Sequence, residues 1–487
     1  MSGFGSNERK TKKSEEKKIK TLQRDKLISN AFSLHSSGKI KEAADVYNFL
    51  IQKKIYDPRV FNNLGSIYSN LKQFDKAILL FDESIKKFPN SLEAYINLAN
   101  VMIIKGKSDI AKKILNKVIE LNPNYLKPYS NLAGIFVGEG NFEKAEFFLR
   151  RSLEINPKDI NTLVNLACVL KDLGNPKQAE RFLRDALEIN PKYDSALVNL
   201  GAVLNELGKI DEGEEFLKKA LKINPNSPMA LNNLGNILSK KNKNKEAELF
   251  YRKAIELKSD FFLAYDNLGS LLSKQGNLIE AEKFTEKAIN YNPKFELAYV
   301  NLGSIKIDLD KLLEAEELFL KAIQINENYS YAYRNLFRLY EKTNNIEKLK
   351  NKLKTLKENK SIVNEKILFQ ARIFFREKDY IKAKKSIDKV SDEWINNTDH
   401  QTNLLYWSYK AFIEEKVGNY DEAFKCFENS QLNLKYENFN PKVFQNYIHT
   451  YRKNLDNKNF FVENNLLEEN EFSPVFLIGF PRSGTTL

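Results

Sequence analysis

One pattern returns every 34 residues and limits what this chain can fold into. It first reads Phe61, Leu64, Gly65 and Tyr68, then Ala77, Phe81 and Pro89. One period later it reads Tyr95, Leu98, Ala99, Met102, Ala111, Leu115 and Pro123; the next is Tyr129, Leu132, Ala133, Phe136, Ala145, Leu149 and Pro157. The small residue of the first half continues as Ala167, Gly201, Gly235, Gly269 and Gly303, and that of the second half as Ala179, Gly213, Ala247, Ala281 and Ala315. The register holds across eight units, from about 58 to 329. A fixed period of this length is the signature of stacked copies of one supersecondary unit.

Each unit reads as two antiparallel helices. Small residues belong where the two backbones come closest, and the large apolar residues fill the space between helices and between units. The pairs Asn122-Pro123, Asn156-Pro157, Asn190-Pro191 and Asn224-Pro225 end the second helix, because a residue before proline resists the helical region. Gly106, Gly140, Gly174, Gly208 and Gly276 turn the chain between helices. One unit cannot bury its own apolar face, so stacking is obligatory and an all-α solenoid is expected.

The pattern resembles the tetratricopeptide repeat family, whose superhelical solenoids serve as binding platforms. Repeats are read over 24–363, entering through Ala31, Gly38, Ala43 and Tyr47, and degenerate units over 364–437, around Ala371, Phe374 and Ala383 and then Trp407, Ala411, Gly418, Ala423 and Phe427. A charged tail (1–23) precedes them and a linker (438–473) follows.

One column of the repeat suggests a function. An asparagine stands just before the Leu of nine successive first helices: Asn63, Asn97, Asn131, Asn165, Asn199, Asn233, Asn267, Asn301 and Asn335. A side-chain amide both donates and accepts, so such a ladder can pair with the main chain of an extended peptide whatever its sequence. It resembles the asparagine ladder in the solenoid of O-linked N-acetylglucosamine transferases, which implies a protein or peptide partner in the groove. The alternative is that the amides only help neighbouring helices pack.

The last residues, 474–487, read differently. Val475 to Ile478 is a continuous apolar run, as in a buried parallel strand, and Gly479-Phe480-Pro481-Arg482-Ser483-Gly484-Thr485-Thr486 follows. A strand, a glycine turn and a helix start make an anion-binding arrangement. The glycine spacing of the nucleotide P-loop fits at Gly479 and Gly484, but Thr485 stands where its lysine belongs, against an NTPase. The run PRSGTT is similar to the 5′-phosphosulfate loop of sulfotransferases, above all the tyrosylprotein branch and bacterial proteins that join tetratricopeptide repeats to such a domain.

That resemblance implies a truncated α/β sulfotransferase domain and the co-substrate 3′-phosphoadenosine 5′-phosphosulfate, with no metal. Arg482 would contact the phosphosulfate and stabilise charge on the leaving bridge oxygen. Pro481 would stiffen the turn, and Ser483, Gly484, Thr485 and Thr486 would bind the 5′-phosphate. The expectation is the N-terminal part of a sulfotransferase acting on a hydroxyl, inactive as the 487-residue chain. The alternative is a non-catalytic scaffold.

Composition adds exclusions. The +13 charge is diffuse, with 77 basic and 64 acidic residues intermixed, and no nucleic-acid-binding signature accompanies it. Cys168 and Cys426 are far apart, and His35, His400 and His449 are scattered, so no disulfide framework or metal cluster is read. No apolar stretch approaches a membrane span and no signal-peptide core opens the chain, so a cytoplasmic setting is expected.

Overall fold

The computed structural model describes residues 24–356 and 361–432. The expected strand at 475–478 and the phosphosulfate loop, Pro481 to Thr486, lie outside the described residues, as do the tail at 1–23 and the linker at 438–473. Every element among the described residues is a helix.

Two compact units make up the chain, divided between Glu327 and Asn328. The first opens with α1 (24–36) and α2 (Ile40–Gln52). Eight regular pairs follow: α3 (Pro58–Asn70) with α4 (Phe74–Lys87), α5 (Leu92–Ile104) with α6 (Ser108–Leu121), α7 (Leu126–Gly138) with α8 (Phe142–Ile155), and α9 (Ile160–Asp172) with α10 (Pro176–Ile189). They continue as α11 (Asp194–Glu206) with α12 (Ile210–Ile223), α13 (Pro228–Lys240) with α14 (Asn244–Leu257), α15 (Phe262–Lys274) with α16 (Leu278–Tyr291), and α17 (Glu296–Asp308) with α18 (Leu312–Ile325). First helices have 13 residues and second helices 14, as α3 and α4 show.

The small residue of each first helix faces a residue sixteen positions on, in the second helix of the same repeat. A β-carbon added at Gly65 would lie 2.4 Å from the Phe81 ring, one at Gly235 2.6 Å from Tyr251, and one at Gly303 2.5 Å from Phe319. Where the first residue is alanine, as at Ala99, Ala133 and Ala167, its counterpart is Leu115, Leu149 or Leu183, and all are buried. Gly65, Gly235 and Gly303 face rings, Gly201 faces Leu217, Gly269 faces Thr285, and the three alanines face leucines, so close packing is set within the repeat.

The turn between the two helices needs a left-handed residue, because the chain must reverse in three residues. Gly106, Gly140, Gly174, Gly208 and Gly276 supply it, with φ between 71° and 81°. The same position is held at φ 54–63° by Lys72, Asn242, Asp310, Asn344 and Lys378. The side chains of Asn122, Asn156, Asn190, Asn224 and Asn292 cap the ends of the second helices by accepting the N–H two residues on, at 3.1–3.3 Å. Asn-Pro thus stops the helix twice over, through proline sterics and through this local hydrogen bond. Exposed ion pairs stitch successive repeats, such as Lys105–Asp75 at 2.7 Å and Arg252–Glu280 at 2.8 Å. Each contributes about 1 kcal/mol at most.

The second unit has α19 (Ser330–Lys342), α20 (Ile346–Thr355), α21 (Val363–Arg376), α22 (Tyr380–Ile387), α23 (Asp392–Asn397), α24 (His400–Lys416) and α25 (Tyr420–Leu432). Lengths run from 6 residues in α23 to 17 in α24. Phe337, fully buried, occupies the position held by Gly or Ala in all eight repeats of the first unit. Its ring packs edge-on against Phe369 at 5.1 Å.

Candidate functional site

The asparagine column is placed by the same packing that builds the repeats. Gly65 turns toward Phe81 of α4, while Asn63, two positions earlier, reaches Tyr47 of α2. Asn165 is exposed, and the other eight are half-buried. Asn335 belongs to the second unit and the others to the first.

The structure divides the nine by their hydrogen bonds. Asn97 and Asn165 have no side-chain partner among the described residues. Asn199 and Asn335 turn back on their own helices, donating to the carbonyls of Ser195 (2.9 Å) and Tyr331 (2.8 Å). Asn63 donates to the Tyr47 hydroxyl at 3.2 Å, and burial pushes that hydroxyl's pKa up against the pull of this bond. Three more bridge repeats. Asn131 donates to Asn100 at 2.8 Å, Asn267 to Asn232 at 2.9 Å, and Asn301 to both carboxylate oxygens of Asp266 at 3.0 Å. Asn233 accepts a long bond, 3.4 Å, from Asn232. Part of the column therefore does help neighbouring helices pack.

Asp266 was not singled out by sequence, yet its carboxyl is buried at this column. It is 2% exposed, and burial raises its pKa to about 6, with the Asn301 bond acting the other way. It occupies the position of Asn62 and Asn232 in other repeats, and that column is the signal that could have found it.

Among the described residues no His, Cys, Asp and Glu side chains group as a metal site, and no helix is long and apolar enough to cross a membrane. Cys168 and Cys426 are free thiols, and burial pushes the pKa of each upward. Arg482, Pro481, Ser483, Gly484, Thr485 and Thr486 lie outside the described residues, so no geometry attaches to them.

Paired helices of this length, stacked with a left-handed residue at every turn, define a tetratricopeptide-repeat solenoid, and comparison with known proteins agrees. Residues 21–267, just over half the chain, match the family model of the cilia and flagella-associated protein 70 C-terminal domain, and residues 263–295 and 297–329 match the tetratricopeptide repeat. The chain belongs to this tetratricopeptide-repeat family. BBSome complex member BBS4 of Bos taurus is 35% identical over 102 residues, which is 20% of this chain and 18% of that protein's length. A tetratricopeptide repeat protein of Parabacteroides merdae is 23% identical, with a TM-score of 0.44, over 51% of this chain and 98% of its own. YrrB, described as a tetratricopeptide protein with an unusual peptide-binding site, is 24% identical, with a TM-score of 0.32, over 38% of this chain and 95% of its own.

Proposed function

We propose that the chain is a protein-interaction scaffold whose asparagine column receives an extended polypeptide. The carrying observation is the unbroken register of nine asparagines at one repeat position, from Asn63 to Asn335, with Asn97 and Asn165 lacking partners. Asn131, Asn199, Asn267, Asn301 and Asn335 spend an amide hydrogen internally, yet among the described residues their side-chain oxygens accept no hydrogen bond. A column of carbonyl oxygens suits main-chain N–H donors, which every polypeptide presents. Main-chain pairing supplies affinity while flanking side chains set preference.

Selection of a peptide from a random library tests this. Replacing Asn97, Asn165 and Asn199 together by Ala should weaken the selected peptide about tenfold or more, since each lost bond is worth about 1 kcal/mol. Unchanged affinity in a triple variant with native helicity would overturn the reading.

A second reading rests on one sequence observation, the run Pro481-Arg482-Ser483-Gly484-Thr485-Thr486 behind an apolar stretch. It makes the solenoid the acceptor-presenting arm of a cytoplasmic sulfotransferase that uses 3′-phosphoadenosine 5′-phosphosulfate, with Arg482 neutralising charge on the leaving group. The family-model matches favour the scaffold, since they cover repeat residues 21–267, 263–295 and 297–329. Transfer of labelled sulfate to a polypeptide, abolished by Arg482→Ala, supports the second reading; transfer unaffected by that change refutes the assignment of Arg482.

A further inference from the structure

We propose that the polypeptide received by the asparagine column carries two charge blocks, basic residues where it crosses α9 and α11 and acidic residues where it crosses α13 and α15. The proposal rests on the reading of that column as a polypeptide site and names the kind of partner it takes.

The column has a second bank. Seven residues after a ladder asparagine the chain has made two helical turns, so that position lies on the same helix face, about 10 Å along the axis. In four successive repeats it reads Asp172, Glu206, Lys240 and Lys274, and all four are exposed. The three repeats before them carry no charge there, and Asp308 follows. Between the two banks, three residues after the asparagine, stand Cys168, Ala202, Asn236 and Ser270, short and uncharged. The positions four residues before the asparagine are uncharged in these repeats as well.

The four charges are largely uncommitted. Glu206 and Lys274 have no hydrogen-bond or ion-pair partner among the described residues. Asp172 meets its chain neighbour Lys171 at 3.4 Å. Lys240 donates to the Asn205 carbonyl oxygen at 3.0 Å, and Glu206 lies within electrostatic reach of it without a bond. Charges on the second helices, by contrast, pair across repeats, as in Arg184–Glu212 at 2.6 Å and Arg252–Glu280 at 2.8 Å.

Asp172 and Glu206 are also the last residues of α9 and α11, where a helix presents its negative end. A carboxylate there is repelled by its own helix, so local stability does not account for it, and a partner's cation relieves it. Lys240 and Lys274 close α13 and α15, where the same field suits a cation and leaves ammonium donors for an anion.

Main-chain pairing with asparagine cannot choose among polypeptides or fix their register, since every polypeptide offers it. Complementary charge does both. First helices of successive repeats touch, and packed helices lie about 8–10 Å apart. An extended chain advances about 3.3 Å per residue, so about three partner residues cross each repeat and the two blocks are centred about six residues apart.

Peptides selected from a random library on the full chain test this. Basic and acidic residues should fall in two blocks about six residues apart. The double variant Lys240→Glu with Lys274→Glu should bind a selected peptide about tenfold or more weakly, and selection repeated on it should replace the acidic block by basic residues. Asp172→Lys with Glu206→Lys should do the reverse to the basic block. On the unaltered chain, raising sodium chloride from about 0.1 M to about 1 M should weaken the peptide several-fold or more, as the Debye length falls from about 10 Å to about 3 Å. Peptides that lose affinity when Asn97, Asn165 and Asn199 become Ala, yet carry no charge order or bind the reversed variants unchanged, overturn this proposal and leave the asparagine column standing. Peptides indifferent to the asparagine variant overturn the reading of the column, and this proposal with it.

Discussion

The two units solve the same packing problem differently. In the first, a small residue lies under its counterpart sixteen positions on, and eight helix pairs keep identical lengths. In the second, Phe337 takes the small residue's place, and the helices vary from 6 to 17 residues. Three positions after the ladder asparagine the first unit carries small or polar residues such as Ser66, Gly134, Cys168 and Ala202, whereas the second carries Arg338 after Asn335. Regular repeats are held largely by apolar volume; where the small residue is lost, the arginine–carboxylate pairs Arg334–Glu365 and Arg372–Glu341 are buried at the helix contacts. Such pairs are costly to break singly, which makes the second unit the more fragile to point change.

The comparison can be tested cleanly because both tryptophans, Trp394 and Trp407, lie in the second unit. Their fluorescence follows that unit, while helical circular dichroism is dominated by the first. The largest effect should come from Glu341→Ala, which leaves the buried Arg372 without its carboxylate partner. A loss of about 3–5 kcal/mol is expected in the fluorescence-detected transition, with the bulk of the circular dichroism transition unmoved. Coincident shifts in both signals would show that the units unfold as one.

Asp266→Asn is next, with the opposite sign. The folded pKa of about 6 lies above the ordinary value of 3.8, so the folded protein holds this proton more tightly than the unfolded chain. The carboxylate therefore costs stability at neutral pH, and the cost disappears as pH falls from 6 toward 4. Asparagine reproduces the Asn232–Asn267 pairing of the preceding repeat and should stabilise by about 2–3 kcal/mol at pH 7 and by little at pH 4. A pH-independent difference in melting temperature would refute this.

Gly235→Ala should cost about 1–3 kcal/mol by overpacking against Tyr251. Adding Tyr251→Leu should restore most of it, because Ala167 with Leu183 is already such a pair; denaturant titration of the single and double variants decides. The smallest effect should be a gain of about 1 kcal/mol from Lys72→Gly and from Lys378→Gly, since both lysines hold left-handed backbone. Similar gains in the two units, measured by thermal melts, would show that the turn survives where the packing rule does not.

The helix pairs were legible because each is written in a window of 34 residues, and the column of small residues needs no knowledge of distant contacts. The left-handed positions at Lys72 and Lys378 were less visible, as lysine carries none of glycine's signal. The division at Glu327 could be seen in outline, since Phe337 interrupts a column, but its partner Phe369 could not. The candidate site was half legible. Its asparagines announce themselves, whereas the bonds that occupy Asn267 and Asn301 span 35 residues and depend on how one repeat staggers over the next. The arginine contacts of the second unit were illegible, because Arg334 and Arg338 find Asp399, Gln401 and Thr402 through α23 and the start of α24, where no period holds.

Each small residue and its counterpart sixteen positions on close within a single repeat. A 34-residue segment of the first unit therefore carries its own volume compensation and can be duplicated or deleted by recombination without leaving a hole behind. Bonds that cross repeats, such as Asn131 to Asn100, Asn267 to Asn232 and Asn301 to Asp266, resist such shuffling. Arrays of this kind can change their length in one genetic step, and with it the length of partner they span.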